Sequence, residues 1–344
     1  MEKKERKPVY YSEYLQLDKI LNAQRPESDA EGIKADDEML FIIIHQTYEL
    51  WFKQILHELN IVREIFKQPN IHNNTPDIYN SVHRLKRVCS ILNVAVTQMG
   101  VLETMTPLDF LDFRDLLRPA SGFQSIQFKM VEATLGLNYE HRHGKAYYLS
   151  QLTTEDIERV KNSEKERSLL VLINEWLERM PFVKNKAYWQ ENSDSSFWKQ
   201  YREAYVGSLS EMEQQNVKVF DNLFINDEQY PEGRSFSADA SRNALFIMLY
   251  RDHPLLHLPY ELLNTLLEID EFLSMWRHRH IHMVQRTIGK RVGTGGSSGA
   301  EYLKGAADSH YVFKELAELT SFLLPRHMLP VLPEALIKDL SFCQ

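Results

Sequence analysis

The sequence predicts an all-α protein. Apolar residues recur three and four positions apart through most of the 344 residues, the spacing that gives a helix one buried face. Alternating β-branched runs bounded by turns, which mark strands, are scarce. Helix-opening signals also stand where apolar periodicity begins. In Thr106-Pro107-Leu108-Asp109 a hydroxyl cap precedes proline at the first helical position and a carboxylate at the third.

Taken in order, residues 1–35 read as an N-terminal arm with a disordered, mixed-charge start, the tyrosine-rich Tyr10-Tyr11-Ser12-Glu13-Tyr14 and a polar stretch near Arg25-Pro26-Glu27-Ser28. Asp36-Asp37-Glu38 offers a cap and an acidic first turn, predicting a helix from there through His45 to about Phe66. A second helix is expected over about Ile78–Met99. A short one follows over Phe110–Leu117 and must stop near Arg118-Pro119. Ser121-Gly122-Phe123-Gln124 repeats the capping-box pattern and should launch another. From about 141 to 237 the chain is more polar and reads as a peripheral helical insertion. Core-like helices return over Asp239–Arg251, Pro259 to about Gly289, and Tyr311–Leu324. The expected organisation is thus an arm followed by one helical domain, 36–344, carrying that insertion.

Composition narrows the function classes. A chain near 300 residues buries about 75% of its unfolded surface, so one large core is feasible. A net charge of −8 and a pI near 5.9 argue against nucleic-acid or anionic-membrane surfaces, which need clustered Lys and Arg. No signal peptide is visible and no run approaches the roughly 20 apolar residues that span a bilayer, so a cytosolic protein is expected. Cys89 and Cys343 are too few for a disulfide framework, a four-cysteine zinc site or an iron–sulfur cluster. Cys-x-x-Cys-His is absent, so any haem would be held non-covalently.

Two histidines stand out on apolar helices. His45 ends the run Met39-Leu40-Phe41-Ile42-Ile43-Ile44, with Phe41 one turn before it and Tyr48, Glu49 and Phe52 extending the same side. In the downstream helix, Phe272, Trp276, His280 and Val284 share one stripe with Met283 beside it, whereas His278 and His282 point elsewhere. For one isolated histidine the satisfied core imidazole is the ordinary reading and a group facing a buried ligand the rarer one. Zinc is disfavoured, because residues two apart on a helix diverge and His-Glu-x-x-His is absent. One helical histidine amid Trp, Met and Val suits the axial ligand of a haem. Arg114, among Phe110, Phe113 and Leu117, either meets a buried anion or pairs at the surface with Asp109, Asp112 or Asp115. The run Gly293-Thr294-Gly295-Gly296-Ser297-Ser298-Gly299 lacks a nucleotide-loop ending; it is a flexible connector or a cover for a carboxylate.

These segments resemble the tryptophan 2,3-dioxygenases over nearly the whole chain. The resemblance is carried by Tyr11-Ser12-Glu13-Tyr14-Leu15, Phe41 to Gln54, Leu102 to Phe110, Pro119 to Ser125, Trp276 to Val284 and Gly293 to Gly299. It is weakest between about 141 and 237. It implies a haem enzyme with His280 as the iron's axial ligand, Trp276 and Ser121 beside the haem, and His45 on the opposite, substrate side. Phe41, Ile42, Ile43, Ile44 and His45 would line the indole pocket. Arg114 and Thr294 would hold the substrate carboxylate. Tyr11 and Tyr14 match tyrosines that enter a neighbouring subunit's site in a tetrameric family. The implied reaction adds both atoms of O2 across the indole C2–C3 bond of L-tryptophan, giving N-formyl-L-kynurenine. A haem-binding sensor without turnover, or a scaffold without cofactor, would share the same helices.

Overall fold

The computed structural model describes residues 8–69, 71, 76–137, 149, 152–185, 188–189, 196–289, 291 and 299–341. Among them there is no β-strand. The α-helices are α1 (Tyr11–Leu15), α2 (Leu17–Leu21), α3 (Glu27–Glu31), α4 (Asp37–Phe66), α5 (Pro76–Leu102), α6 (Pro107–Phe113), α7 (Ile126–Leu135), α8 (Thr154–Lys165), α9 (Leu169–Glu178), α10 (Phe197–Ser208), α11 (Asn216–Phe224), α12 (Ala238–Leu249), α13 (Pro254–Ile288), α14 (Gly299–Ser309), α15 (Lys314–Glu318) and α16 (Glu334–Asp339).

Three long helices carry the architecture, with α5 packed against both α4 and α13. Each presents one apolar stripe: Ile44, Tyr48, Phe52, Ile55, Leu59, Val62 and Phe66 on α4, and Ile78, Val82, Leu85, Cys89, Leu92 and Met99 on α5. By length and composition α5 could cross a bilayer, which corrects the expectation that no run comes close. Here its apolar stripe is spent on its two helical neighbours. Helices α9 to α11, within the stretch read as a peripheral insertion, add Trp176, Phe197, Tyr201, Tyr205, Phe220 and Phe224 to the same continuous buried cluster.

The local signals differ in how they act. Thr106 and Asp109 form the expected box, with Asp109 N donating to Thr106 Oγ1 at 3.3 Å and Thr106 N to Asp109 Oδ2 at 2.8 Å. Ser121 and Gln124 form theirs as well, yet it opens only a 3-10 turn, and Ser125 caps α7 by accepting from Phe128 N at 3.2 Å. Asp36 makes no capping bond. Glu38 works instead, its buried carboxylate accepting from Glu27 N and Ser28 N at 2.9 Å, so the free amides that open α3 are met from α4. Helix α13 starts at Pro254 rather than Pro259, which lies inside it. The single helix expected over Tyr311–Leu324 becomes α15 and a 3-10 turn at Leu319–Phe322. Its start is delayed because Asp270 accepts from Val312 N at 3.1 Å and Phe313 N at 2.6 Å.

Those bonds belong to a strap. Asp270, Ser274 and Arg277, at helical spacings of four and three on α13, hold residues 310–313: Ser274 Oγ lies 2.7 Å from the Tyr311 hydroxyl, and Arg277 Nη1 donates to the His310 carbonyl at 2.8 Å. Burial pushes the Asp270 carboxyl up to about 6, against the two amide donors that hold its charged form. The strap fixes where α14 ends, and therefore how α14 lies along α13.

Gly136 ends α7 at φ +142°, where a Cβ would come within 2.6 Å of the Leu170 Cβ. Gly32 sits at φ +68° with open space around it. We expect Gly136→Ala to cost roughly 3 kcal/mol or more through strain plus overpacking. Gly32→Ala should cost only about 1 kcal/mol, from strain alone. Denaturant midpoints of the two variants check this, and equal losses would contradict it.

Candidate functional site

A cavity opens where α4, α6, α7, α13 and α14 converge on the end of α5. One wall is Phe41, His45 and Glu49 of α4, Met99 and Leu102 of α5, Met105, and Phe110 of α6. The opposite wall is Trp276, His280, Met283, Val284 and Thr287 of α13. Ser121, Phe123 and Phe128 close one side, and Leu303 and Ala306 of α14 another. The spacing of the α13 residues is the 3.6-residue stripe itself, which leaves His278 and His282 exposed outside the cavity.

The two imidazoles are built differently. His45 Nδ1 lies 2.7 Å from the Phe41 carbonyl oxygen. A carbonyl only accepts, so Nδ1 carries the proton and Nε2 is left with a lone pair as the ring's free acceptor. Phe41 stacks against this ring at 4.1 Å and is itself caged by Phe110 at 5.7 Å and Phe113 at 5.6 Å. His280 packs on Trp276 at 5.3 Å, which in turn meets Phe128, Tyr48 and Phe52. Among the described residues, the Nδ1 of His280 and the Nε1 of Trp276 are buried without hydrogen-bond partners. Burial lowers the basicity of both histidines. His280 falls to about 4, and the nearby His45 contributes to that drop. Both rings are therefore neutral at pH 7.

Charges gather at two places. Arg114, 5% exposed, lies on the cavity wall, while Asp109 is occupied in its capping box and Asp115 pairs with Arg118. Arg114 is thus a buried residue of the cavity wall, whatever its partners within the chain. Lys129, Glu132, Arg277 and His310 make a buried polar corner, in which Arg277 Nη2 donates to Glu132 Oε1 at 2.7 Å. Glu49 is steadied by Gln127, whose side-chain amide donates to its carboxylate at 2.9 Å. Among the described residues no group of three His, Cys, Asp or Glu suits a bare metal ion.

Phe41, His45, Arg114, Ser121, Trp276 and His280 thus line one cavity. Ile42, Ile43 and Ile44 do not: Ile43 points to solvent and Ile44 into the core, because only every third or fourth residue of α4 can face one side. Within this chain Tyr11 and Tyr14 are exposed and outside the cavity. Thr294 lies outside the described residues. Phe128, Lys129, Glu132, Arg277, Leu303 and His310 were not foreseen. The only trace of them in the sequence is charge interrupting apolar helices, which by itself cannot say what faces what.

The fold is all-α, and one cavity in it carries an imidazole from each of two helices, α4 and α13, with the Arg114 guanidinium on its wall. The tryptophan 2,3-dioxygenase family model matches residues 1–323. The chain is 42% identical to the tryptophan 2,3-dioxygenase of Alteromonas mediterranea, over 99% of both chains. It is 41% identical to that of Dictyostelium discoideum, over 98% of this chain and 89% of the relative. With that of Xenopus laevis the identity is 40%, over 96% and 86%. The chain belongs to the tryptophan 2,3-dioxygenase family.

The depressed basicity of His280 has a signed consequence. Its folded value, about 4, lies below the ordinary 6.5, so the stability it protects is complete above pH 6.5 and is lost as pH falls toward 4. In the ligand-free protein we expect wild type to lose roughly 3 kcal/mol relative to His280→Leu across that interval. Parallel stability profiles for the two proteins would contradict it.

Proposed function

We propose that this chain carries out its family's reaction, the dioxygenation of L-tryptophan that opens tryptophan catabolism, using a non-covalent haem b with His280 as axial ligand. The observation that carries the reading is His280 itself, an imidazole of lowered basicity packed on Trp276 and lining the same cavity as a second such imidazole, His45. Such a donor set fits haem, which needs one nitrogen ligand and an apolar sleeve. When bound, haem supplies the activation of O2 that these side chains cannot.

The chain's own residues then bind and orient. Arg114 meets the substrate carboxylate, aided by Thr294, and Phe41 with Phe110, Leu102 and Met105 receives the indole. Ser121 and Trp276, which line the same cavity, would help hold the haem. His45 is the catalytic residue nearest the indole, and its fixed tautomer suits an acceptor: Nε2 takes a hydrogen bond from the indole N–H while Nδ1 stays bound to Phe41. Full proton removal is not required of it. Imidazolium is far more acidic than an indole N–H, a mismatch that makes His45 a poor general base.

The arm belongs to the same proposal. Helices α1 and α2 bury none of their residues within the chain, and α4 leaves Met39, Ile43 and Leu50 exposed along one side. These unburied apolar faces support association with other copies of the chain, which we take to be a homotetramer, a dimer of dimers, in the cytosol, with Tyr11 and Tyr14 reaching a neighbour's cavity. Residues 36–344 form its helical domain, with the stretch 141–237 inserted.

Purified protein should show a Soret band and convert L-tryptophan to N-formyl-L-kynurenine under reductant and air. His280→Ala should abolish haem retention while His278→Ala and His282→Ala keep it; equal loss in all three would overturn the assignment. Arg114→Ala should keep haem but lose roughly 2–5 kcal/mol in kcat/KM for L-tryptophan, as when one partner of a desolvated charge pair is removed. Unchanged kinetics would remove Arg114 from the site.

A further inference from the structure

Helix α13 is held from two opposite sides one turn before and directly beside His280. Arg277 and Arg279 are two residues apart, so they leave the helix about 200° from each other. Arg277, buried, donates through Nη2 to Glu132 on α7 at 2.7 Å and through Nη1 to the His310 carbonyl at 2.8 Å. Arg279 donates through Nε and Nη2 to the two oxygens of Glu103, just past α5, at 3.2 and 3.0 Å. Its Nη1 reaches the Val96 carbonyl of α5 at 3.0 Å. Each guanidinium therefore grips one carboxylate and one main-chain carbonyl. Gly100 leaves the room for this, since a Cβ there would stand 3.1 Å from Arg279 Nη2.

A ligating histidine is usually aimed by a hydrogen bond at its second nitrogen. Among the described residues His280 Nδ1 has no such partner. The aim of the ring must come from the rotation of α13 and from packing on Trp276. Rotating a helix by about 20° carries an atom roughly 6 Å from its axis by about 2 Å, several times the ~0.5 Å tolerance of a productive site. One anchor resists rotation one way; two opposed anchors resist both. Building on the haem reading above, we infer that Arg277 with Glu132 and Arg279 with Glu103 are positioning residues that set the aim of His280 into the cavity.

The test uses haem-loaded Glu103→Gln, Glu132→Gln, Arg279→Lys and the double Glu103→Gln/Glu132→Gln. The control is Glu261→Gln, which removes the Lys86–Glu261 pair at 2.5 Å between the same helices α5 and α13 far from His280. Haem transfer to excess apomyoglobin and the iron–histidine stretching band of the ferrous protein are read beside the melting temperature. Each anchor variant should lose haem about 10–100-fold faster with a shifted or broadened band, and the double variant faster still. Arg279→Lys keeps the charge without the fork and should behave like Glu103→Gln. Glu261→Gln should keep the wild-type rate and band. Wild-type haem loss and band in the folded anchor variants, or loss rates that simply follow melting temperature through the control, would overturn the inference. Should the buried Glu132→Gln not fold, Glu103→Gln and Arg279→Lys decide the matter on the half-exposed pair. If wild type takes up no haem, the haem reading falls first and this one with it; if wild type is loaded and the anchor variants match it, only this one falls.

Discussion

Keeping two imidazoles neutral on two helices that line one cavity is the constraint on which the rest of the structure depends. An imidazole withdrawn from water resists protonation, and burial has this effect on both His45 and His280, at His45 against the opposing pull of the Phe41 carbonyl and the Glu49 carboxylate. The cavity between them exists because α5 packs on both α4 and α13, with Met99 and Leu102 at its end closing the gap. Packing and chemistry are here one requirement. The aromatic walls around the rings also contribute apolar burial that helps offset leaving His280 Nδ1 and Trp276 Nε1 without partners among the described residues.

Much of this was legible in the sequence because it is written at helical spacing. Trp276, His280 and Val284 fall on one wall, and His278 and His282 fall off it, by the 3.6-residue repeat alone. The box at Thr106 and Asp109 is likewise local, closing within four residues. The resemblance went further than periodicity by pairing His45 with His280, residues that local spacing cannot connect. Where the two methods meet on one helix, periodicity corrects motif: a contiguous Phe41 to His45 cannot all face one pocket, and Ile43 and Ile44 do not.

What stayed hidden is long-range and polar. Nothing near Glu132 announces Arg277, and nothing near Glu103 announces Arg279, because an ion pair across 145 or 176 residues leaves no periodic trace. Asp270 is the same case. In the sequence it is one acid on a long helix, whereas in the structure it holds two amides of the strap, and that competition is why the helix expected from Tyr311 starts late. Glu38 displaces Asp36 from its expected role for a related reason. A carboxylate buried at 1% exposure must find donors, and the nearest unsatisfied ones are the first amides of α3.

The distribution of polar anchors follows from what each histidine has to do. His45 must present a particular nitrogen, so its tautomer is fixed, and the helix's own carbonyl four residues earlier does this with no outside partner. His280 must present a direction, and a hydrogen bond within one helix cannot fix how that helix is rotated against its neighbours. Only contacts to other elements can, and α13 makes them through Arg277 toward α7 and the strap and through Arg279 toward α5. The two sides of the cavity are therefore controlled at different lengths, one within a single helical turn and the other across the bundle. A change far from the cavity that shifts α5 against α13 would leave the tautomer of His45 untouched and move the aim of His280.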